Sequence, residues 1–362
     1  MKIGFDAKRI VRNGTGLGSY GRTLVNDLIR RGDPDMEYFL YAPDKGRDDL
    51  RQQVIEGAQF RYPHFNSSLW RIHGIVRDLQ HDGVQLYHGL SGELPIGIRK
   101  TGIRTVVTIH DLIFLRHPEF YHWIDTKLYA WKFRQTLREA DRVIAISERT
   151  KQDIMELGHI SDERIRLVYQ SYAPRFSTTV TPAEQQEVCQ RYQLPERFIL
   201  NVGTIERRKN LRLAVDALPL LPSDIHLVAV GRQTKYAQTQ PQSHRLHLLS
   251  GVPDSDLAVI YNLAEAFVYP SRYEGFGIPI IEAIAAGLPV VACTGSCLEE
   301  AGGPSCLYVD PDDVEGMASA LLSVLEGADG RAGRIRLSQQ YIERFRGTDV
   351  AGQVLDVYKE LL

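Results

Sequence analysis

Cysteine is scarce in this chain and badly placed for metal work: Cys189, Cys293, Cys297 and Cys306 form no C-x-x-C pair and have no histidine cluster beside them. Zinc ligation is therefore not expected, and the thiols read as buried or idle. Long apolar runs are missing too. None approaches the ~18 residues of a spanning helix, and the opening MKIGFDAKRIV has the pattern of a first β-strand rather than a signal peptide, which points to a cytoplasmic protein. No low-complexity segment, dense basic stripe or stacking-aromatic motif occurs, so nucleic acid is not an expected partner.

What is present is ordinary globular material: 362 residues, 43% apolar and 24% charged, enough for two domains with a core each. The net charge of −2 is unevenly shared. Residues 1–172 carry 26 Lys+Arg against 22 Asp+Glu, and the remainder 17 against 23, so the first half is the side suited to an anionic surface such as headgroups or a phosphorylated acceptor.

Hydrophobic patterning alternates strand and helix. Strands are predicted at Ile3–Phe5, Tyr38–Ala42, Val84–Tyr87, Thr105–Ile109 and Arg142–Ile146, with helices at Leu17–Arg31, Leu69–Gln80, Asp125–Ala140 and Glu148–Leu157. A polar break then runs from Tyr169 to Pro182, and the alternation restarts with strands at Phe198–Val202, His226–Val230, Leu246–Leu249, Ala266–Tyr269, Pro289–Ala292 and Leu307–Val309. The expected class is α/β: two Rossmann-like, doubly wound parallel-sheet domains facing an interdomain cleft. Their bounds are residues 1–172, a linker at 173–182 and residues 183–345, with a C-terminal helix in 346–362 expected to pack back on the first domain.

Tyr273-Glu274-Gly275-Phe276-Gly277-Ile278-Pro279 leads into an apolar helix that ends at Gly287. Proline suits the first helical position, and glycines before a helix start let an anion approach free N–H groups backed by the helix dipole. Glu274 and Glu282, seven residues apart, suit the hydroxyls of a nucleotide sugar; the plainer reading is a surface loop before a core helix. Gly203 to Asn210 places Thr204 and then Arg207, Arg208 and Lys209 between a strand and a helix, where cations would hold a diphosphate; standing alone, the cluster would read rather as a solvated basic turn. His110 ends a strand and reads as a sugar-hydroxyl partner, a general base or an ordinary loop residue.

Gly16 to Gly21 spells G-x-G-x-x-G, and Asp44 follows the next strand, so a dinucleotide site is a rival reading. Ala7 to Asn13 separate the first strand from these glycines, however, which favours a longer glycine loop. Trp123 to Arg134 mixes aromatics and cations at helical spacing, as a membrane-surface helix or a core-packing helix would. The Asp-x-Asp spacings at Asp33–Asp35, Asp254–Asp256 and Asp310–Asp312 read as turn and cap residues, Asp254 and Asp312 lying where helices begin, so neither a metal nor another cofactor is expected.

Taken together, Val202-Gly203 through Arg208-Lys209-Asn210, the E-x7-E stretch from Glu274 to Glu282, and Ser147-Glu148-Arg149-Thr150 resemble glycosyltransferase family 4, the retaining GT-B transferases, over nearly the whole chain. The resemblance implies that Arg208 and Lys209 hold the donor diphosphate, that Glu282 binds ribose, and that Glu274 with the backbone of Phe276 and Gly277 faces the transferred sugar. Gly16, Gly18 and His110 match the family's first-domain glycine loop and its histidine near the donor sugar. The expected catalytic set is thus Glu274, His110, Arg208 and Lys209. The donor-binding set is Gly16, Gly18, Gly203, Thr204, Gly231, Val252, Gly275, Phe276, Gly277, Ile278 and Glu282. This chain has Arg207 where relatives often carry proline, and Glu299-Glu300 where they carry Pro-Glu. The implied activity is metal-independent transfer of a hexose, first mannose from GDP-mannose and alternatively a sugar from a UDP donor, to a saccharide or lipid-linked saccharide acceptor, with weak association at the cytoplasmic face of the membrane. Other classes left open are an NAD-dependent oxidoreductase and a non-catalytic nucleotide-sugar-binding protein.

Overall fold

The computed structural model describes residues 1–63, 69–241 and 243–362, which form two compact units. The first comprises Met1–Tyr169 with Asp349–Leu362, the second Gln170–Thr348. In the first, β1 (Lys2–Asp6), β2 (Glu37–Tyr41), β3 (Ala58–Arg61), β4 (Leu86–Gly89), β5 (Arg104–Ile109), β6 (Arg142–Ala145) and β7 (Ile165–Leu167) make one parallel sheet in the order 3-2-1-4-5-6-7. In the second, β8 (Phe198–Val202), β9 (His226–Val230), β10 (Leu246–Leu249), β11 (Ala266–Tyr269), β12 (Val290–Cys293) and β13 (Leu307–Val309) are likewise all parallel, in the order 10-9-8-11-12-13.

Central strands of such sheets are covered on both faces, which is why they read as continuous apolar runs. Val106, Val107 and Ile109 of β5, and Ala266 to Tyr269 of β11, are all buried. The edge strands β3 and β7 carry no such run; only half covered, they escape the sequence pattern. In each sheet the strand order reverses once, between β1 and β4 and between β8 and β11. The crevice beyond the carboxyl ends of the strands at such a reversal is where doubly wound sheets take ligands.

The helix Val350–Lys359 belongs to the first unit. Val354, Leu355 and Val357 sit in the same core as Ile3 and Phe5, and the Tyr358 hydroxyl lies 2.6 Å from His88 Nδ1. Residues 170–181 run with the second unit, where Phe176 packs edge-on against Tyr261 and Thr181 caps the helix Pro182–Tyr192 in a reciprocal box with Glu184.

Candidate active site

Four of the expected donor-site positions follow consecutive neighbouring strands of the second sheet: Val252 after β10, Gly231 after β9, Gly203 after β8 and Glu274 after β11. All therefore lie on its carboxyl edge. Val252 is half-buried in the turn that leads to the helix Asp254–Leu263. Gly203 and Gly231 are needed for a close crossing of backbone. Gly203 has φ 150°, and a Cβ on Gly231 would stand 1.9 Å from the Gly203 carbonyl oxygen. The crossing is fixed by Gly203 N–H to Val230 O and Ile205 N–H to Arg232 O, both 2.9 Å. It aims the half-buried Thr204 and the tight turn Arg207–Lys209 over the β8–β11 reversal. Asn210 ends that turn in the left-handed region, φ 53°, and its amide donates to Pro311 O at 2.9 Å, so the asparagine of the motif has a backbone role.

The turn brings its cations onto the motif carboxylate. Arg208 Nη1 lies 2.8 Å from Glu274 Oε2 and Lys209 Nζ 2.6 Å from Glu274 Oε1. Lys209 also donates to the Tyr269 hydroxyl at 2.7 Å, while Arg208 donates to Tyr273 O at 2.7 Å and Glu206 Oε1 at 2.8 Å. Burial by itself would push the Glu274 carboxyl up, but the Lys209 and Arg208 charges more than offset it and hold it at about 2. Both cations are held above their ordinary values by the same carboxylate, against burial. Arg207 of the basic turn is exposed, but Arg208 and Lys209 are not separate from the E-x7-E motif: with Glu274 and Glu206 they form one largely buried cluster of two cations and two carboxylates.

The helix Ile278–Ala285 starts beside this cluster in sequence, with Gly277 at φ 134° before it and Gly287 at φ 86° after it. Pro279 is its second residue rather than its first, so the Ile278 amide heads the helix. Gly275 is half-buried, and the Phe276 ring is buried edge-on to Phe345. Two cysteines read as idle support these loops. The Cys297 thiol reaches the carbonyls of Glu274 at 3.0 Å and Phe276 at 2.8 Å, and the Cys293 thiol reaches Pro270 O at 3.3 Å. No spacing rule would have found them, because their partners are carbonyls.

Glu282 is half-buried beside Tyr261. Its Oε2 accepts from the Tyr261 hydroxyl at 3.2 Å, and Tyr261 stacks on Phe267. Burial, only partly countered by Tyr261, pushes its carboxyl up to about 8.

In the first unit His110 follows β5. Its Nε2 is 3.0 Å from Leu90 O, so that nitrogen carries the proton, and its ring meets Tyr20 edge-on at 4.7 Å. Burial lowers it to about 4, which leaves a neutral imidazole. Ser147 caps the helix Glu148–Gly158 by accepting from Thr150 N–H, and the Thr150 hydroxyl donates to His110 O at 3.3 Å, so the S-E-x-T segment braces the histidine. The helix expected at Leu17–Arg31 runs from Gly16 to Arg30, so Gly16, Gly18 and Gly21 lie in it rather than in a glycine loop, and a short helix Lys8–Arg12 fills the gap after β1. Gly18 is explained by packing, since a Cβ there would be 1.8 Å from Asn13 O; at Gly16 a Cβ would meet open space. Asp44 pairs with Arg12, so the dinucleotide reading loses both its turn and its ribose acid. Asp312 pairs with Arg272, and Asp313 rather than Asp312 caps the helix that follows.

Two family models match the chain, one described as Glycosyltransferase Family 4 over residues 14–176 and one described as Glycosyl transferases group 1 over residues 196–327. The O-antigen chain mannosyltransferase B of Escherichia coli is 30% identical over 100% of both chains. The chain belongs to glycosyltransferase family 4. A second family relative, the O-antigen chain mannosyltransferase RfbU of Salmonella typhimurium, is 25% identical over 66% of this chain and 65% of its own. Sucrose-phosphate synthase from Thermosynechococcus elongatus superposes with a TM-score of 0.81 at 20% identity, covering 100% of this chain and 99% of its own. HepE of Anabaena, solved with UDP and glucose, does so at 0.77 and 18%, covering 99% and 100%. These likenesses show the GT-B fold of this glycosyltransferase.

Glu274 gives the cluster a pH signature. A carboxyl depressed on folding adds stability above its ordinary value of 4.5 and loses it as pH falls toward 2. Glu274→Gln removes the only carboxylate on Lys209 among the described residues and leaves Arg208 with Glu206 alone, at a cost of roughly 3 kcal/mol near neutrality. In urea unfolding the wild-type advantage is expected to narrow between about pH 5 and pH 3. A gap independent of pH would show that Glu274 is not ionised in the fold.

Proposed function

We propose that this glycosyltransferase moves a hexose, with retention and without a metal, from a nucleoside diphosphate sugar to a saccharide acceptor. The observation that carries the reading is the buried Arg208–Glu274–Lys209 cluster on the carboxyl edge of the second sheet, beside a glycine-led helix start. Arg208 and Lys209 offer the positive charge that a departing diphosphate needs, and the amides at Gly277 and Ile278 add the end of a helix dipole. Glu274 would face the transferred sugar and Glu282 the ribose, each accepting from hydroxyls. With no protein nucleophile assigned, the acceptor hydroxyl attacks the face from which the diphosphate leaves, and a phosphate oxygen takes its proton. His110, neutral and braced, would contribute polar contact to the donor sugar. The chain's work is then positioning and leaving-group stabilisation.

Mannose from GDP-mannose is the first donor of this proposal, supported by relatives named as O-antigen mannosyltransferases. A UDP-sugar is the alternative, supported by the structural neighbour solved with UDP and glucose. Transfer assays with GDP-mannose, UDP-glucose and UDP-galactose in EDTA, using mannose-containing oligosaccharides as acceptors, are expected to show α-linked product from one donor. Nucleotide binding without transfer or slow donor hydrolysis would instead indicate a binding protein.

Glu282 makes donor affinity depend on pH. A ribose diol favours the ionised carboxylate, whereas the empty site keeps it protonated up to about 8. Nucleoside diphosphate affinity should therefore rise with pH, by up to about tenfold per unit, and level off above pH 8. Glu282→Gln should bind weakly with no such slope; a slope retained in that variant would remove Glu282 from the ribose site.

The proposal places the enzyme in the cytoplasm, resting weakly on the membrane through the helix Trp123–Glu139. Trp123, Ile124 and Leu128 are exposed there, with Lys127 over the Trp123 ring. Co-sedimentation with phosphatidylglycerol vesicles is expected, and to be lost in Trp123→Ala/Ile124→Ala; equal pelleting of the two would remove this face as the contact.

A further inference from the structure

Lys209 can serve a departing diphosphate only if its ammonium points at it, and a flexible side chain does not point by itself. Of its three N–H donors, two are taken inside the protein: Nζ lies 2.6 Å from Glu274 Oε1 and donates to the Tyr269 hydroxyl at 2.7 Å. The third has no acceptor among the described residues, although the side chain is only 16% exposed. Two bonds of a tetrahedral ammonium set the direction of the third. With Glu274 alone the group could turn about the line from Nζ to the carboxylate oxygen; the Tyr269 hydroxyl removes that freedom.

Tyr269 is well placed to do this because it cannot itself move. It is the last residue of β11, a strand paired on both sides, and it is buried. It pairs with Ala292 of β12, and just before it the Asn201 amide of β8 donates to Val268 O at 2.9 Å. Its ring ends a stack of three, lying on Phe267 with 5.9 Å between centroids, while Phe267 lies on Tyr261 at 5.5 Å. Burial pushes the Tyr269 phenol up to about 12, so near neutrality it is an uncharged acceptor. The two partners of Lys209 therefore differ in kind: Glu274 balances its charge, whereas Tyr269 directs it without cancelling any of it. The stem is confined as well, since it lies along Gly203, where a Cβ would meet Lys209 Cε at 3.6 Å. Contact with Glu274, the acid that faces the transferred sugar in the transferase reading, puts the remaining N–H at the sugar end of the donor. The phosphate there is the one that carries the leaving oxygen.

We propose that Tyr269 is a positioning residue of the transfer, its hydroxyl aiming the remaining N–H of Lys209 at the sugar-linked phosphate of the donor. This rests on the transferase reading and adds to it the residue that orients the leaving-group cation. Tyr269→Phe keeps the ring and its stack and removes the hydroxyl alone. The full-length variant and wild type are titrated calorimetrically with GDP, UDP, GMP and UMP in EDTA. The diphosphate that wild type binds should lose about fivefold or more in affinity in Tyr269→Phe, as for a charge-assisted hydrogen bond gone astray. Its monophosphate, which lacks the sugar-linked phosphate, should bind as in wild type. Lys209→Met should lose the same preference for diphosphate over monophosphate, and Tyr269→Phe added to it should change nothing further. In transfer assays kcat of Tyr269→Phe should fall about tenfold with donor KM shifted less than about threefold, because the charge on that phosphate grows as the sugar departs. Equal weakening of monophosphate and diphosphate would leave Tyr269 a merely structural role and overturn the proposal. Unchanged diphosphate affinity in Tyr269→Phe, or a further loss in the Lys209→Met background, would overturn it too while leaving the transferase reading intact. A wild-type chain that binds none of the four nucleotides and transfers no sugar would instead overturn that reading, and the role of Tyr269 with it.

Discussion

The second unit depends on one carboxylate holding two cations. Glu274 lies 2.8 Å from Arg208 and 2.6 Å from Lys209, and Lys209, which has no second carboxylate among the described residues, could not be left without it except at a cost of roughly 3–5 kcal/mol. That constraint fixes everything around it. The turn Arg207–Lys209 must come down onto the loop after β11, which requires Gly203 and Gly231 to cross without Cβ atoms. The loop must in turn hold Glu274 still, which it does through Cys297 on its carbonyls, Cys293 on Pro270 O, and the main-chain bond from Arg272 N–H to Arg208 O at 2.9 Å. Buried ion pairs are poor sources of net stability, so a cluster built with this much backbone support is better explained by what it does than by what it holds together.

The first unit has its own internal brace. His88 Nε2 lies 2.8 Å from the Thr108 hydroxyl, which is 3.2 Å from the Tyr20 hydroxyl, and the Tyr20 ring meets His110. At the other end His88 Nδ1 meets Tyr358 on the C-terminal helix. Burial drives both histidines down, to about 3 and about 4, so the whole chain is uncharged near neutrality. Such a network can be buried because each member finds a partner, and it ties the last helix of the sequence to the end of β5.

How much of this was legible beforehand follows from which interactions are local. The inner strands could be read because burial on both faces writes itself into consecutive residues; among the half-covered edge strands, β10 (LHLL) and β13 (LYV) could be read from their apolar residues, whereas β3 (AQFR) and β7 (IRL), each interrupted by polar residues, could not. The helix over the glycine segment was readable from Leu17 onward, but the reason for Gly18 was not, since it answers to Asn13 O, a contact that no glycine pattern specifies. The motif residues were identified, yet their pairing was not: Arg208 and Glu274 are separated by three strands and several loops, and charge spacing along a chain does not say which distant acid a cation will meet. Cys297 is buried, as its sequence suggested, but its support of the motif loop was not legible, for the same reason. Its sequence neighbours say nothing, while the carbonyls it meets belong to Glu274 and Phe276.

The two glutamates of one short motif end in opposite states, and the difference lies in their surroundings rather than their chemistry. Both are desolvated, which favours the neutral acid in each case. Glu274 has two cations in contact and stays an anion down to about 2; Glu282 has a tyrosine hydroxyl and only the through-space pull of Arg175, and burial pushes it up to about 8. A permanent anion between two cations can shape a field without taking up or releasing a proton near neutrality. A carboxyl poised near 8 instead changes charge with small changes in what it touches, so a hydroxyl pair offered to it would drive off its proton. Pairs of acids whose environments push their values apart are how one site separates two roles. In the proposed chemistry that separation assigns electrostatics to Glu274 and ligand sensing to Glu282, and it follows from the placement of Arg208 and Lys209 on only one of them.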